Sequence, residues 1–232
     1  MRLDKYISNN TSLSRKDVAK QVKLGNILIN GKKAKSPDEK IDENSSQITL
    51  NGKVITYSKF VYFMLNKPQG VVSATTDLKQ KTVLDLLPSE YKKLGLFPCG
   101  RLDKDTVGLV ILTNNGVASH KLLSPKSGVE KTYLFQCAED ILESDIKNIE
   151  QGILLRDGYV TKPCKIVLSN KKEGKITITE GKYHEIKRMF GATGNKVTFL
   201  KRISFGKIIL DEQLKEGEYR PLTMDEVTYF ER

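Results

Sequence analysis

The sequence predicts an α+β protein in two parts. A small, basic α/β domain occupies residues 1–56, a linker covers 57–60, and a larger domain with a mixed or antiparallel sheet fills 61–232. Three observations predict this. The first quarter carries helix-spaced apolar residues, followed by two Asn-Gly turns between β-branched runs. From Val61 onward, short apolar strands are interrupted by helical segments. The length, 232 residues, is enough for one large core and one small one.

In the first part, Leu3, Tyr6 and Ile7 are spaced for one helical face. Ser14 is the expected N-cap of a second helix, with Asp17 three residues on as its capping-box partner. Val18, Val22 and Leu24 continue that helix, and Gly25 stops it. Two hairpins follow, Ile27–Lys33 turning at Asn30-Gly31 and Ile48–Ile55 turning at Asn51-Gly52. Asn-Gly suits the type I′ turn because both central residues take positive φ.

In the second part, strands are expected at Val61–Leu65, Leu109–Leu112, Tyr133–Cys137, Lys175–Thr179 and Val197–Leu200. Helices are expected at Val117–Leu123, Ile141–Glu150 and His184–Phe190. Ile141, Leu142, Ile146 and Ile149 make a stripe that should face a core.

Composition narrows the partners. Lys and Arg number 39 against 28 Asp and Glu, a net charge of +11. Residues 1–60 hold twelve of those cations and six of the acids, so the first quarter is the more cationic part per residue. An excess of this size points to a polyanion, because phosphate neutralisation with counterion release supplies most nonspecific affinity. No run of eighteen apolar residues is present, and Met1–Lys5 lacks the apolar stretch of a signal peptide, so a cytoplasmic protein without a membrane span is expected. Cys99, Cys137 and Cys164 are odd in number and far apart, and they read as reduced core residues.

The most informative stretch is Gly100-Arg101-Leu102-Asp103-Lys104-Asp105-Thr106-Val107-Gly108, followed by the apolar run from Leu109 to Leu112. It sets a carboxylate between two glycines under a strand. As a calcium loop it fails, since Val107 stands where an oxygen ligand is needed and Asn114 where the bidentate Glu belongs. His184-Glu185-Ile186-Lys187-Arg188 starts like a zinc-protease helix, but Arg188 replaces the second His. No phosphate-binding Gly-rich loop and no Cys/His set with zinc spacing exists, so neither a metal nor a cofactor is expected. Two acids two residues apart serve poorly as a glycosidase pair, which must flank a sugar ring. Asp105, before Thr106, reads as a turn residue bonding the local backbone.

Taken in order, the motifs resemble a family. Arg2-Leu3-Asp4-Lys5-Tyr6-Ile7, Ser14-Arg15-Lys16 and Gly25 to Lys32 resemble the S4-type RNA-binding domain over roughly residues 1–55. Lys67-Pro68-x-Gly70-Val71, Gly100 to Leu109, Ser124-Pro125-Lys126, Glu130-Lys131-Thr132-Tyr133, Glu180 to Phe190 and Gly217-x-Tyr219-Arg220-Pro221-Leu222-Thr223 resemble the RsuA-type pseudouridine synthases. The resemblance runs essentially end to end.

It implies isomerisation of uridine: the N-glycosidic bond is cut, the base turns, and it is rejoined through carbon, with no cofactor. Asp103 matches the family nucleophile, acting on either the base or the ribose carbon. Such a carboxylate must be ionised, which calls for a nearby cation. Lys187 matches the basic residue that pairs with it, where many relatives carry Arg; Lys keeps the sign but not the bidentate fork. Tyr133 matches the tyrosine that lies against the base and helps remove the carbon-bound proton, and Arg101 matches the arginine that fills the stack when the base leaves. Gly100 and Gly108 are expected to let backbone approach RNA. Arg15, Lys16, Lys20 and Lys23 share parts of one helix surface and would face a phosphate backbone, as would Lys126, Arg188, Lys201 and Arg202. The expected partner is ribosomal RNA or a subunit precursor, with small-subunit RNA favoured over large-subunit RNA, and the chain is expected to act as a monomer. A noncatalytic RNA-binding or ribosome-assembly factor is the alternative.

Overall fold

The structure is a computed structural model that describes every residue except 12, 44, 56–59, 125 and 232. Residues 57–59 of the expected linker and Pro125 of the Ser124-Pro125-Lys126 motif therefore lie outside the described residues. The chain divides into two compact units, one of Met1–Phe60 with Glu90–Leu94 and one of Val61–Ser89 with Gly95–Arg232.

In the first unit, helix α1 (Leu3–Asn10) buries Leu3, Tyr6 and Ile7, the predicted face. Helix α2 (Arg15–Lys23) starts at the predicted capping box: the Asp17 amide donates to Ser14 Oγ at 3.2 Å and the Ser14 amide to Asp17 Oδ2 at 3.3 Å. Leu24 does not continue the buried stripe; it is the C-cap and is exposed, and Gly25 at φ +71° ends the helix. Strands β1 (Ile27–Ile29) and β2 (Lys32–Lys33) form one hairpin, β3 (Ile48–Leu50) and β4 (Lys53–Ile55) the other. Asn30, Gly31, Asn51 and Gly52 all take positive φ, as the turn chemistry requires. Antiparallel pairing of β1 with β3 joins the hairpins into one four-stranded sheet, ordered β2-β1-β3-β4. Its apolar face closes over α1 and α2 through Ile27, Ile48 and Ile55, and the Tyr6 hydroxyl donates to the Ile55 carbonyl.

The second unit is built on a nine-stranded mixed sheet. Its strands are β5 (Tyr62–Lys67), β6 (Phe97–Cys99), β7 (Val107–Thr113), β8 (Lys131–Cys137), β9 (Lys165–Leu168), β10 (Glu173–Ile178), β11 (Val197–Phe205), β12 (Ile208–Ile209) and β13 (Tyr219–Pro221). The path runs β13-β5-β7-β11-β8-β10-β9, with β6 paired to β7 and β12 to β11. All pairs are antiparallel except β7 with β11. β5 and β7 are buried along their whole length, which is why their apolar runs are continuous rather than alternating. Helices α3 (Gly116–Leu123), α4 (Glu143–Gln151), α5 (Glu185–Ala192) and α6 (Met224–Glu231) complete the unit.

The core stripe on α4 needs a correction. Ile141 and Ile149 are buried, but Leu142 is the N-cap, turned outward and exposed. Cys99 and Cys137 are buried free thiols and Cys164 is half-buried, and burial pushes the Cys137 thiol up to about 11.

Candidate active site

One row across the sheet sets up the site. Lys67 on β5 is in register with Gly108 on β7, Gly108 with Arg202 on β11, Arg202 with Tyr133 on β8, and Tyr133 with Ile176 on β10. The Asp103 loop enters β7 immediately before this row. Gly108, at φ +100°, makes the parallel join possible: a Cβ there would come within 2.3 Å of the Arg202 carbonyl oxygen. Gly108 therefore lets β11 approach, whereas a Cβ built on Gly100, at φ +79°, would meet only the Leu123 side chain at 3.1 Å.

Lys67 holds the loop from below. It is 0 % exposed, and its Nζ donates to the carbonyls of Thr106 at 2.8 Å, Pro68 at 3.1 Å and Lys104 at 3.2 Å. Desolvation pulls its pKa down to about 8, against the nearby Asp105 and Asp103 carboxylates. Above it, the Thr106 amide donates to the Asp103 carbonyl, closing a turn that turns the Asp103 side chain to the cavity.

Lys187, in the first turn of α5, places its Nζ 3.1 Å from Asp103 Oδ2 and 2.5 Å from Asp105 Oδ1. Burial works against the ammonium, but the hydrogen bonds to Asp105 and Asp103 outweigh it and raise the Lys187 pKa; the same bond to Lys187 lowers that of Asp105. Asp105 is thus a second anion on the same cation, not only a turn residue. On the other side of Asp103, His184 Nε2 lies 3.6 Å from Oδ1. His184 sits in the left-handed region at φ +48°, ψ +33°, a conformation costing a non-glycine residue about 1 kcal/mol.

Asp103, Tyr133, His184, Lys187 and Arg101 line one cavity of about 60 Å³. A neighbouring cavity of about 210 Å³ shares Arg101, Tyr133, Gly181 and Lys182 with it and reaches Lys131 and Arg202. Tyr133 is buried, and desolvation pushes its phenol pKa up, opposed by the Arg202 guanidinium. Arg202 is 3 % exposed and its Nε donates to the Leu109 carbonyl at 2.8 Å. It braces the sheet beneath Tyr133 and is not a surface phosphate contact. Glu185, also buried, accepts from the Lys182 amide at 2.8 Å, and burial raises its pKa.

The other predicted contacts divide in two. Arg101 and Lys126 are exposed, Arg101 at the cavity. Arg15, Lys16 and Lys20 are exposed on α2 in the first unit, with Lys20 3.6 Å from Asp17. Arg188 is engaged, pairing with Asp157 and donating to the Tyr183 carbonyl at 3.2 Å. Sequence reasoning missed the parts played by Lys67, Asp105 and His184. Lys67 and His184 stood in the recognised motifs, but nothing local in the sequence said that one was buried and the other beside Asp103.

The comparisons with known proteins agree with this architecture. The profile of the family described as RNA pseudouridylate synthase matches residues 61–192, and that of the S4 domain matches residues 1–46. The uncharacterized RNA pseudouridine synthase YtzG of Bacillus subtilis is 47 % identical over 98 % of this chain and 97 % of its own length. The ribosomal small subunit pseudouridine synthase A of Haemophilus influenzae is 42 % identical over 98 % of both chains. A crystal structure of a pseudouridylate synthase superposes with a TM-score of 0.71 at 40 % identity, covering 99 % of each chain. The chain belongs to the RNA pseudouridylate synthase family, in its RsuA-type branch with an N-terminal S4 domain. It is a pseudouridine synthase, an isomerase.

Proposed function

We propose that the chain converts one uridine of small-subunit ribosomal RNA to pseudouridine, with Asp103 as the nucleophile. The observation that carries this reading is the Asp103–Lys187 ion pair at 3.1 Å, set in a cavity that Tyr133 also lines. An ammonium beside the carboxylate supplies the cation that a nucleophilic acid calls for. The relatives named as small-subunit synthases, from Haemophilus influenzae and Pasteurella multocida among others, support the choice of RNA.

The reaction balances without a co-reactant. The bond from ribose C1′ to N1 breaks, a bond from C1′ to C5 forms, C5 loses a proton and N1 gains one. Asp103 attacks the base or the ribose to open this sequence. Tyr133 packs against the uracil, where it is placed to help remove the proton from C5, and burial raises its pKa. Arg101, exposed at the cavity, fills the stack that the flipped base vacates and so offsets part of an unstacking cost of a few kcal/mol.

Arg15 and Lys16 lie in the first turn of α2, where the helix dipole disfavours cations. The helix itself gives no reason for them there, and phosphate binding does. Residues 1–56 serve as the RNA-binding module. The chain acts as a monomer, in the cytoplasm where ribosomal RNA is processed.

The test is to map pseudouridines in ribosomal RNA from cells carrying wild-type protein, no protein, or Asp103→Asn. One small-subunit site should vanish in the last two. Loss of a large-subunit site instead would move the substrate to that RNA, and full modification by Asp103→Asn would end the proposal for Asp103.

A further inference from the structure

Tyr183 breaks the usual rule for large aromatics: it is 70 % exposed, between Lys182 and His184, which both line the cavity at Asp103. One face of its ring is occupied. It stacks on His184 with centroids 3.9 Å apart and planes within 17°. His184 in turn has its Nε2 3.6 Å from Asp103 Oδ1. The two rings thus form a short column that starts at Asp103 and ends in an open aromatic face.

The column is held in place by the turn and the first helical bonds around it. Buried Glu185 accepts from the Lys182 amide at 2.8 Å and its own amide donates to the Lys182 carbonyl at 3.2 Å, which closes the turn before the pair. Arg188, fixed by Asp157, donates to the Tyr183 carbonyl at 3.2 Å, and the Arg188 amide donates to the His184 carbonyl at 2.9 Å. His184, stacked on Tyr183, sits in the left-handed region at φ +48°. A strained residue kept at the site by such supports is a preorganised element.

We infer that Tyr183 and His184 form a stacking platform for an unpaired RNA base next to the target uridine. This rests on the function proposed above. A ribonucleotide neighbour is the occupant because the ring stacks on His184, itself 3.6 Å from Asp103, and every base offers a π surface to a flat aromatic ring. Stacking reads no base edges, so the platform fixes the strand beside the flipped uridine without adding sequence preference of its own.

The test compares wild type with Tyr183→Ala, Tyr183→Phe and Tyr183→Leu in the full chain. With small-subunit ribosomal RNA as substrate, KM should rise about tenfold for Ala and for Leu and stay near wild type for Phe. In parallel, a single-stranded RNA oligonucleotide with 2-aminopurine flanking a uridine reports stacking directly. Its fluorescence should be quenched by wild type and by Phe, and not by Ala or Leu. Equal KM and equal quenching in all four proteins, with unchanged melting temperatures, would overturn the platform. Leu behaving like Phe would also overturn it, since that shows apolar packing rather than stacking. If wild type leaves small-subunit RNA unmodified, the proposed function fails, and the quenching series still decides the platform.

Discussion

Asp105 shares the Lys187 ammonium with Asp103: Nζ lies 2.5 Å from Asp105 Oδ1 and 3.1 Å from Asp103 Oδ2. Two carboxylates around one cation divide its attraction, and Asp105 holds Lys187 at the position from which it meets Asp103. Asp105→Asn should cost about 1 kcal/mol of transition-state stabilisation, roughly fivefold in kcat, while Lys187→Met should cost about a hundredfold and Lys187→Arg much less. The stability effect of Asp105→Asn is small, about 0.5 kcal/mol, because Asp105 is 62 % exposed. Its pKa is lowered in the fold, so its contribution is present above the ordinary carboxylate value and lost as pH falls through the lowered one. Urea unfolding of wild type and variant should converge in acid; a gap that persists there would refute the pairing.

Lys67 is the loop's anchor, and its burial gives it an unusual pH signature. With a folded pKa near 8, the folded state holds fewer protons than the unfolded chain between about pH 8 and 10.5. The cost of its buried charge is fully present below 8 and relieved as pH rises through that window. Lys67→Met leaves the Thr106, Lys104 and Pro68 carbonyls without this donor, and should destabilise by about 2–3 kcal/mol at pH 7. The difference between wild type and variant should widen toward pH 9.5, and unfolding curves at the two pH values measure it.

Gly108→Ala puts a methyl against the Arg202 carbonyl at 2.3 Å and keeps a positive φ that alanine resists. Several kcal/mol of destabilisation is expected, about 3 or more, with separation of β7 from β11. Gly191→Ala is the contrast. It lies inside α5 with open space around it and should stabilise by about 0.5–1 kcal/mol. Thermal melts of both variants read the pair of signs.

Thr106 carries a buried hydroxyl without a hydrogen-bond partner among the described residues. Thr106→Val keeps the shape and removes an unpaired polar atom, so stability should rise by about 1 kcal/mol. A fall in the denaturation midpoint would mean that the hydroxyl is bonded.

Much of the local structure was legible because it depends on neighbours in the chain. The Ser14–Asp17 capping box, the Gly25 stop and both Asn-Gly hairpins formed as read, since each is a short-range matter of φ and of nearby hydrogen bonds. Strands β6, β9, β12 and β13 and helix α6 were not read: the strands are two to four residues long, β6 contains Pro98 and β13 Pro221, and α6 lies past the last recognised motif. Leu142 was misplaced because periodicity does not say where a helix begins.

By itself the sequence determined the two-part α+β plan, the basic first quarter, and the motifs that place Asp103, Tyr133 and Lys187 in one family. Tertiary structure alone decided what stands beside Asp103. The parallel join of β7 to β11 brings residues 108 and 202 together, and α5 returns Lys187 and His184 to a loop some eighty residues earlier. It also buried Lys67 and Arg202, two cations that on sequence alone look like any others in a chain of +11. The reason is physical: charge and spacing are properties of the chain, whereas desolvation and pairing depend on which distant segments fold against each other.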